Sequence, residues 1–309
     1  MKKFNYPGRS LTDEFTESGE QVAHPVHPKS IDVVIPYCES DRHLAAEAIE
    51  CMIHQRHCSP IIHAVADNCE PIKSPFCKHY RTSGIVNKPV YAASEQAGEV
   101  NKQVYEANEQ VGNIGPYLIV NSLVSHFTTD YIAIQDADDL SYTNRLWKQI
   151  ALLDMGYYMT SCAMIQSPIE GYDGIRHKIE PIIFPGLVQT AAPWGRNINS
   201  TRSMRRSFFI EINGFGNYPM SGDYQFDSRA CSLYPDLCHY TDEILAIRRL
   251  RPESLSNRKS TGYTSEFRNE LSWRVMQSCS TMKKNTTLAT AKSLGYLDQT
   301  PKGLVTLIG

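Results

Sequence analysis

The sequence predicts an α/β fold with a mainly parallel sheet flanked by helices, and three observations carry that reading. Two short runs, IDVVIP at 31–36 and IIHAVA at 61–66, are dominated by apolar and β-branched residues, as strands covered on both faces are. Segments with apolar residues at helical spacing alternate with such runs, which is the order of parallel βαβ units. The runs also end in polar tips, YCES, Asp67-Asn68-Cys69 and the DADD of YIAIQDADDLSY, the last of which puts Asp136, Asp138 and Asp139 into four positions. Ligands of parallel sheets bind at the carboxyl ends of the strands, so these tips are expected to meet in space.

Taken in order, residues 1–30 form a polar arm punctuated by Pro7, Pro25 and Pro28, without sustained periodicity. The strand at 31–36 follows. Leu44, Ala45, Ala48, Ile49, Met52 and Ile53 then recur at helical spacing, with Ser40 or Asp41 available as N-cap. After the strand at 61–66 comes a loop rich in Pro and Cys, a shorter strand near KPVYAA at 88–93, a helix over 115–127 and the strand YIAIQ at 131–135. TNRLWKQIALLDMG reads as a helix, YMTSCAMIQ as a strand, and 181–194 as an irregular Pro- and Gly-containing segment. GDYQFDSRACSLY is the next helix, ILAIRRL a late strand and SEFRNELSWRVMQSCS a C-terminal helix. The rest is expected to be a partly ordered tail with several lysines.

Composition limits the partners. The formal charge of −2 gives no global pull toward nucleic acid or anionic membrane. Nine cysteines, scattered without framework spacing, fit reduced thiols of a cytosolic protein better than a disulfide scaffold. MKKFNYPGRS has no apolar region after its lysines, and no run approaches the ~20 apolar residues of a membrane span. A cytoplasmic protein without a membrane span is therefore expected, with partners read from local sites.

The carboxylates of DADD raise one another's pKa if they sit close together in a dry site, and a divalent cation relieves that repulsion. Hard oxygen ligands suit Mg²⁺ or Mn²⁺, and Mg²⁺ is commonly shared between one or two carboxylates and substrate phosphates. The alternative is an exposed turn in which Asp139 or Ser141 caps the following helix. At a strand tip beside two other polar tips, the metal reading is preferred.

These residues resemble the family 2 glycosyltransferases of the GT-A fold, over roughly residues 31–256. The resemblance rests on VVIPYCES, on Asp67 opening the segment after the second strand, on DADD, on MRRSFFIEINGF where the family has a strand and short helix leading to Gly-Gly-Phe, on Asp223 with Arg229 six residues later, and on RLRPESLS. It implies a nucleotide-sugar-binding half at 31–140, an acceptor-binding half at 141–256, and a C-terminal helix and tail at 257–309. It further implies Asp138 as metal ligand, Pro36, Tyr37, Glu39, Asp67, Asp136 and Ala137 along the nucleotide sugar, Arg249 and Arg251 at the diphosphate, and Asp223 as general base. Gly222, on the acceptor side, stands where the family has glutamate, so that the acceptor or loop contact of the glutamate is absent; Asn68 stands where the family has an acid, and Arg251 where a histidine is frequent. A guanidinium cannot ligate a metal but can bind phosphate bidentately.

The activity so implied is metal-dependent, inverting transfer from a nucleotide sugar to the hydroxyl of a glycan, lipid-linked or other acceptor, with a UDP-sugar favoured by family frequency. Asp67, accepting from a ring N–H, suits uracil, thymine or guanine. Several positions keep a second reading: Asp223 as a helix N-cap, Arg249 and Arg251 as a solvated basic turn, Trp194 as core rather than a platform for an acceptor sugar. A zinc site from His54, His57, Cys58, Cys69, Cys77 and His79 is conceivable, though it matches no compact finger spacing. Nucleotidyl transfer and non-catalytic binding of a sugar nucleotide or glycan are the rival functions; no Gly-rich, lysine-bearing phosphate loop follows the first strand.

Overall fold

The structure, a computed structural model, describes residues 29–82, 113–168 and 199–308. Strand β1 (Lys29–Tyr37) leads through α1 (Arg42–Ile53) to β2 (Cys58–Ala66) and on to β3 (Lys78–Thr82), each pairing parallel with the one before. Helix α2 (Pro116–Leu123) precedes β4 (Tyr131–Ile134), which pairs parallel with the other side of β1. A short strand β5 (Asp139–Ser141), helix α3 (Arg145–Asp154) and strand β6 (Met159–Pro168) follow. After these come β7 (Ser203–Arg205), α4 (Arg206–Glu211), α5 (Gly222–Leu233), β8 (Cys238–Leu250), α6 (Glu266–Lys284), α7 (Leu288–Ser293) and β9 (Val305–Ile308). Among the described residues these strands make one mixed sheet in the order β5-β8-β6-β7-β4-β1-β2-β3-β9. Its longest pairings, β1 with β2 and β6 with β8, are both parallel.

The period of two along the strands decides which residues feed which face. Ile31, Val33, Ile35 and Tyr37 of β1, with Ile62, Ala64 and Ala66 of β2, pack against α1 and α3. Val34, Val65, Ile132 and Ile134 point the other way, onto the aromatic cluster of α2, α4 and α5 that contains Tyr117, Phe208, Phe209, Phe215 and Phe226. Covered on both sides, β1 has no polar face, which is why its sequence is a nearly unbroken apolar run. Its exception, Asp32, is fully buried. It accepts from Thr128 N–H, Thr129 N–H and the Thr129 hydroxyl and pairs with His63, so burial, which would raise its pKa, is outweighed and the carboxyl lies below its ordinary value.

The expected α/β class with its flanking helices is borne out, and the differences are local. The Pro- and Cys-rich loop contains β3, whose KHYRT buries only Tyr80 and Thr82 and so presents no apolar run. The strand expected near KPVYAA lies outside the described residues, as does the irregular segment at 181–194. The residue at the N-cap position of α3 is Asn144, whose side chain makes no capping bond, and not Asp139 or Ser141, which lie in β5 and pair antiparallel with β8. The tail is ordered: α7 packs on the α5–α6 layer, and β9 closes the outer edge of β3 by antiparallel pairing. Among the described residues no helix is long and apolar enough to cross a membrane.

Candidate active site

The tip after β4 is built on two buried polar side chains. Gln135, fully buried, donates from Nε2 to the carbonyls of Asp136 and Asp139, 2.9 Å each, and so folds the DADD backbone into a turn. Its Oε1 accepts from Ser141 Oγ at 2.6 Å and from Arg145 Nη1 at 2.8 Å. Arg145, also fully buried, reaches on to the Ile134 carbonyl at 2.8 Å. The turn is thereby tied to the first turn of α3, and the three aspartates project from a rigid base.

Asp136, Asp138 and Asp139 each offer a carboxylate oxygen within 4.8 Å of the others. Asp139 is buried, and accepts from Ser200 Oγ at 2.6 Å and from the Arg249 N–H at 3.3 Å. Burial, with the neighbouring Asp138 carboxylate, pushes its pKa up to about 7. Asp136 accepts from Asn199 Nδ2 at 3.3 Å; burial first, then Asp139, Asp138 and Asp223, hold its carboxyl well above the usual range. Asp138 is partly buried and accepts from Arg251 Nε at 3.0 Å. The cluster is thus short of positive charge, and among the described residues it is the one group of three or more His, Cys, Asp or Glu side chains gathered at ligand distance. His54, His57, Cys58, Cys69, Cys77 and His79 do not gather in this way, and none of the nine cysteines is in a disulfide.

The end of β8 and the residue after it lie across this tip. Arg249 donates from Nε to the Asp138 carbonyl at 2.6 Å, reaches the Ala137 carbonyl and pairs with Glu47 of α1. Arg251 bridges Asp138 to Asp41 at the start of α1 and touches the Ser40 carbonyl. At 4% and 7% exposure these arginines are not a solvated turn. They join the tip of β1 to the tip of β4.

On the β2 side, Asp67 is buried, and its two carboxylate oxygens accept from the N–H groups of Ile114 and Gly115, both at 3.0 Å. Asn68 has φ 54, a conformation that asparagine tolerates better than most residues, and its N–H donates to Thr82 Oγ1. That backbone demand accounts for an asparagine here. Tyr37 is buried with its hydroxyl accepting from the Ile72 N–H at 2.9 Å, and burial pushes its pKa up to about 12. Pro36 is partly buried in β1, and Glu39 is exposed at an open groove shared with Arg42, His43, Glu70 and Lys73.

Asp223 lies in the first turn of α5, whose N-cap is Ser221, so it is not the cap residue. Its Oδ1 accepts from the Tyr117 hydroxyl at 2.9 Å, and its charge is felt by Asp136. One turn on, Asp227 accepts from the fully buried Arg202 at 2.6 Å, and Arg202 donates in turn to Asn199 Oδ1 at 3.0 Å. Asn199 therefore connects the aspartate cluster to α5. Arg229 is buried beneath that helix and donates to the carbonyls of Ile212, Gly214 and Ala291, and burial lowers its pKa to about 9. Gly222 packs directly on Tyr117, and Trp194 lies outside the described residues.

Gln135, Arg145, Asn199, Arg202, Tyr117 and Asp227 were not singled out from sequence. Gln135 alone carried a visible signal, as the polar residue ending an apolar run.

No family model matches the sequence. EpsE of Bacillus subtilis (strain 168), provisionally named a glycosyltransferase, is 34% identical over 98 residues, which are 31% of this chain and 34% of EpsE. The chain thus matches about a third of the length of that relative. Among solved structures, S. aureus TarS 1-349 in complex with UDP-GlcNAc has a TM-score of 0.48 at 12% identity, covering 85% of this chain and 69% of that one. The mannosyltransferase PcManGT from Pyrobaculum calidifontis, in complex with GDP-Man and Mn²⁺, has a TM-score of 0.46 at 11% identity, covering 88% and 76%. Over the stretch it shares with EpsE, the chain is similar to a glycosyltransferase.

Proposed function

We propose that this protein is an inverting, metal-dependent glycosyltransferase that moves a sugar from a nucleoside diphosphate, a UDP-sugar foremost, to an acceptor hydroxyl on a glycan, a lipid-linked sugar or another molecule. The observation that carries the reading is the gathering of Asp136, Asp138 and Asp139 at one strand tip, with Asp223 on the neighbouring helix close enough to act on Asp136. Two carboxyls held above their ordinary range by burial and mutual repulsion fit a hard divalent cation. Asp138 is the proposed ligand, with Asp136 and Asp139 within reach. Mg²⁺ or Mn²⁺ bound there would neutralise charge on the departing diphosphate.

The remaining chemistry falls to the chain itself. Arg251 and Arg249 already lean on the DADD tip, and their guanidinium groups suit phosphate oxygens. Asp223 is the proposed base, taking the acceptor proton on the face opposite the diphosphate, so that a single displacement inverts the anomeric carbon. A thermal-shift panel of UDP-, GDP- and dTDP-sugars, with and without Mn²⁺, tests the reading. One donor series should stabilise the protein, more strongly with the cation, and an NMR assignment of the product from an α-linked donor should show a β-linkage. No stabilisation by any nucleotide sugar, or a retained α-linkage, would remove the corresponding part.

A further inference from the structure

We infer that Tyr117 is the positioning residue for Asp223, and that position 222 is glycine because the ring of Tyr117 fills the space a side chain there would need. The inference rests on the reading of Asp223 as the base that activates the acceptor.

Tyr117 is held from both ends. Its backbone sits one residue into α2, whose entry is pinned by the Asp67 carboxylate through Ile114 and Gly115. Gly115 adopts φ 84, and Pro116 opens the helix, so the approach to Tyr117 has little freedom. The ring packs against Phe215 with centroids 5.1 Å apart, inside the aromatic cluster formed with Phe209 and Phe226. At 6% exposure the ring is core, and its hydroxyl is the polar end that must find a partner. That partner is Asp223 Oδ1. Burial and the Asp223 charge push the hydroxyl well above its ordinary pKa, so it stays a donor at neutral pH.

Gly222 completes the arrangement. A Cβ there would lie 2.7 Å from Tyr117 Cδ2 and 2.9 Å from Cγ, against a ring that the aromatic cluster prevents from yielding. A glutamate at 222, as the resemblance leads one to expect, and a tyrosine ring in this place exclude each other. The glycine is thus more than a lost acceptor contact: it admits a hydroxyl that fixes the rotamer of Asp223. Because Asp67 pins the same loop, the orientation of the base depends on the nucleotide side of the sheet.

The test uses Tyr117→Phe, Gly222→Ala, Asp223→Asn and the Tyr117→Phe/Asp223→Asn double variant, all in the full chain. UDP affinity is measured by calorimetry, and UDP release is measured on a panel of UDP-sugars with Mn²⁺. Tyr117→Phe should keep its UDP affinity and donor KM while kcat falls roughly 10–100-fold, the scale of a misplaced reacting group. The same change in the Asp223→Asn background should cost nothing further, since it acts only through that carboxylate. Gly222→Ala, whose Cβ meets the same unyielding ring, separates the hydroxyl from Asp223 by shifting the start of α5 and should give the same kcat loss, whether or not the Phe variant folds well. Independently of turnover, the losses in urea midpoint of the two single variants should be non-additive in the double variant. A wild-type kcat in Tyr117→Phe with an inactive Asp223→Asn would overturn this inference alone, as would additive losses. A near-normal kcat in Asp223→Asn would overturn the base assignment and this inference together.

Discussion

At the scale of single residues, Asp138 is distinguished from its neighbours by its partner. Asp136 and Asp139 are tied to Asn199 and Ser200, whereas Asp138 is tied to a guanidinium that also serves Asp41. Asp138→Asn should therefore leave the thermal midpoint close to that of the wild type, since only the pairing with Arg251 is weakened, while metal-dependent turnover is lost; circular dichroism and the release assay check the two halves separately. Arg251→Ala should raise the donor KM or lower kcat through lost stabilisation of the diphosphate, and unchanged kinetics would confine Arg251 to joining β1 and β4. Asp139 gives a pH dependence whose sign is fixed. Its folded pKa of about 7 lies above the ordinary 3.8, so between these values the folded protein holds a proton that the unfolded chain has released. Stability contributed by this group is complete below about pH 4 and is lost as pH rises through 7. Mn²⁺ should consequently raise the thermal midpoint more at pH 8 than at pH 5, and an equal shift at both would count against a cation on this cluster. DADD was legible in sequence because like charges at a strand tip are conspicuous; Tyr117 was not, because a tyrosine in PYLIV is indistinguishable from core until its hydroxyl is seen on Asp223.

At the scale of elements, Asp67 shows how one carboxylate can serve structure where sequence suggested a ligand. It supplies the acceptors for two N–H groups at the entry to α2, one of them fully within the core. Asp67→Ala should cost about 1.5–3 kcal/mol in urea unfolding, as for hydrogen bonds to a charged group, in addition to any weakening of UDP binding seen by calorimetry. Unchanged stability would leave nucleotide contact as its only role. The helices were legible where an apolar face is buried, as in α1 and α3, and the strands where both faces are. β3 and β9 escaped notice because each buries little: β9 has only Val305 fully inside, and β3 only Tyr80 and Thr82. The first half of β8, CHYTDE, is hidden for the same reason, its residues being partly exposed although Cys238, His239, Tyr240 and Thr241 are in register with β6.

At the scale of the molecule, the sheet brings to one end residues that lie far apart in sequence: Asp41 beside α1, the DADD tip after β4, Asn199 and Ser200 before β7, and Arg251 after β8. The sequence announced the tips, and the resemblance announced Arg249 and Arg251, but not the contacts through which these arginines, Asn199 and Ser200 bind the tips into a unit, because those contacts span 61 to 210 positions and leave no local pattern. The C-terminal segment belongs to that unit as well, since α7 receives Arg229 from beneath α5. The central claim is that this convergence is a cation-dependent sugar-nucleotide site, and the most direct measurement is UDP release from UDP-sugars by wild-type protein in Mn²⁺ and in excess chelator. Release with Mn²⁺ that falls to background in chelator and returns when the cation is restored is the expected result; equal release with and without chelator would contradict it.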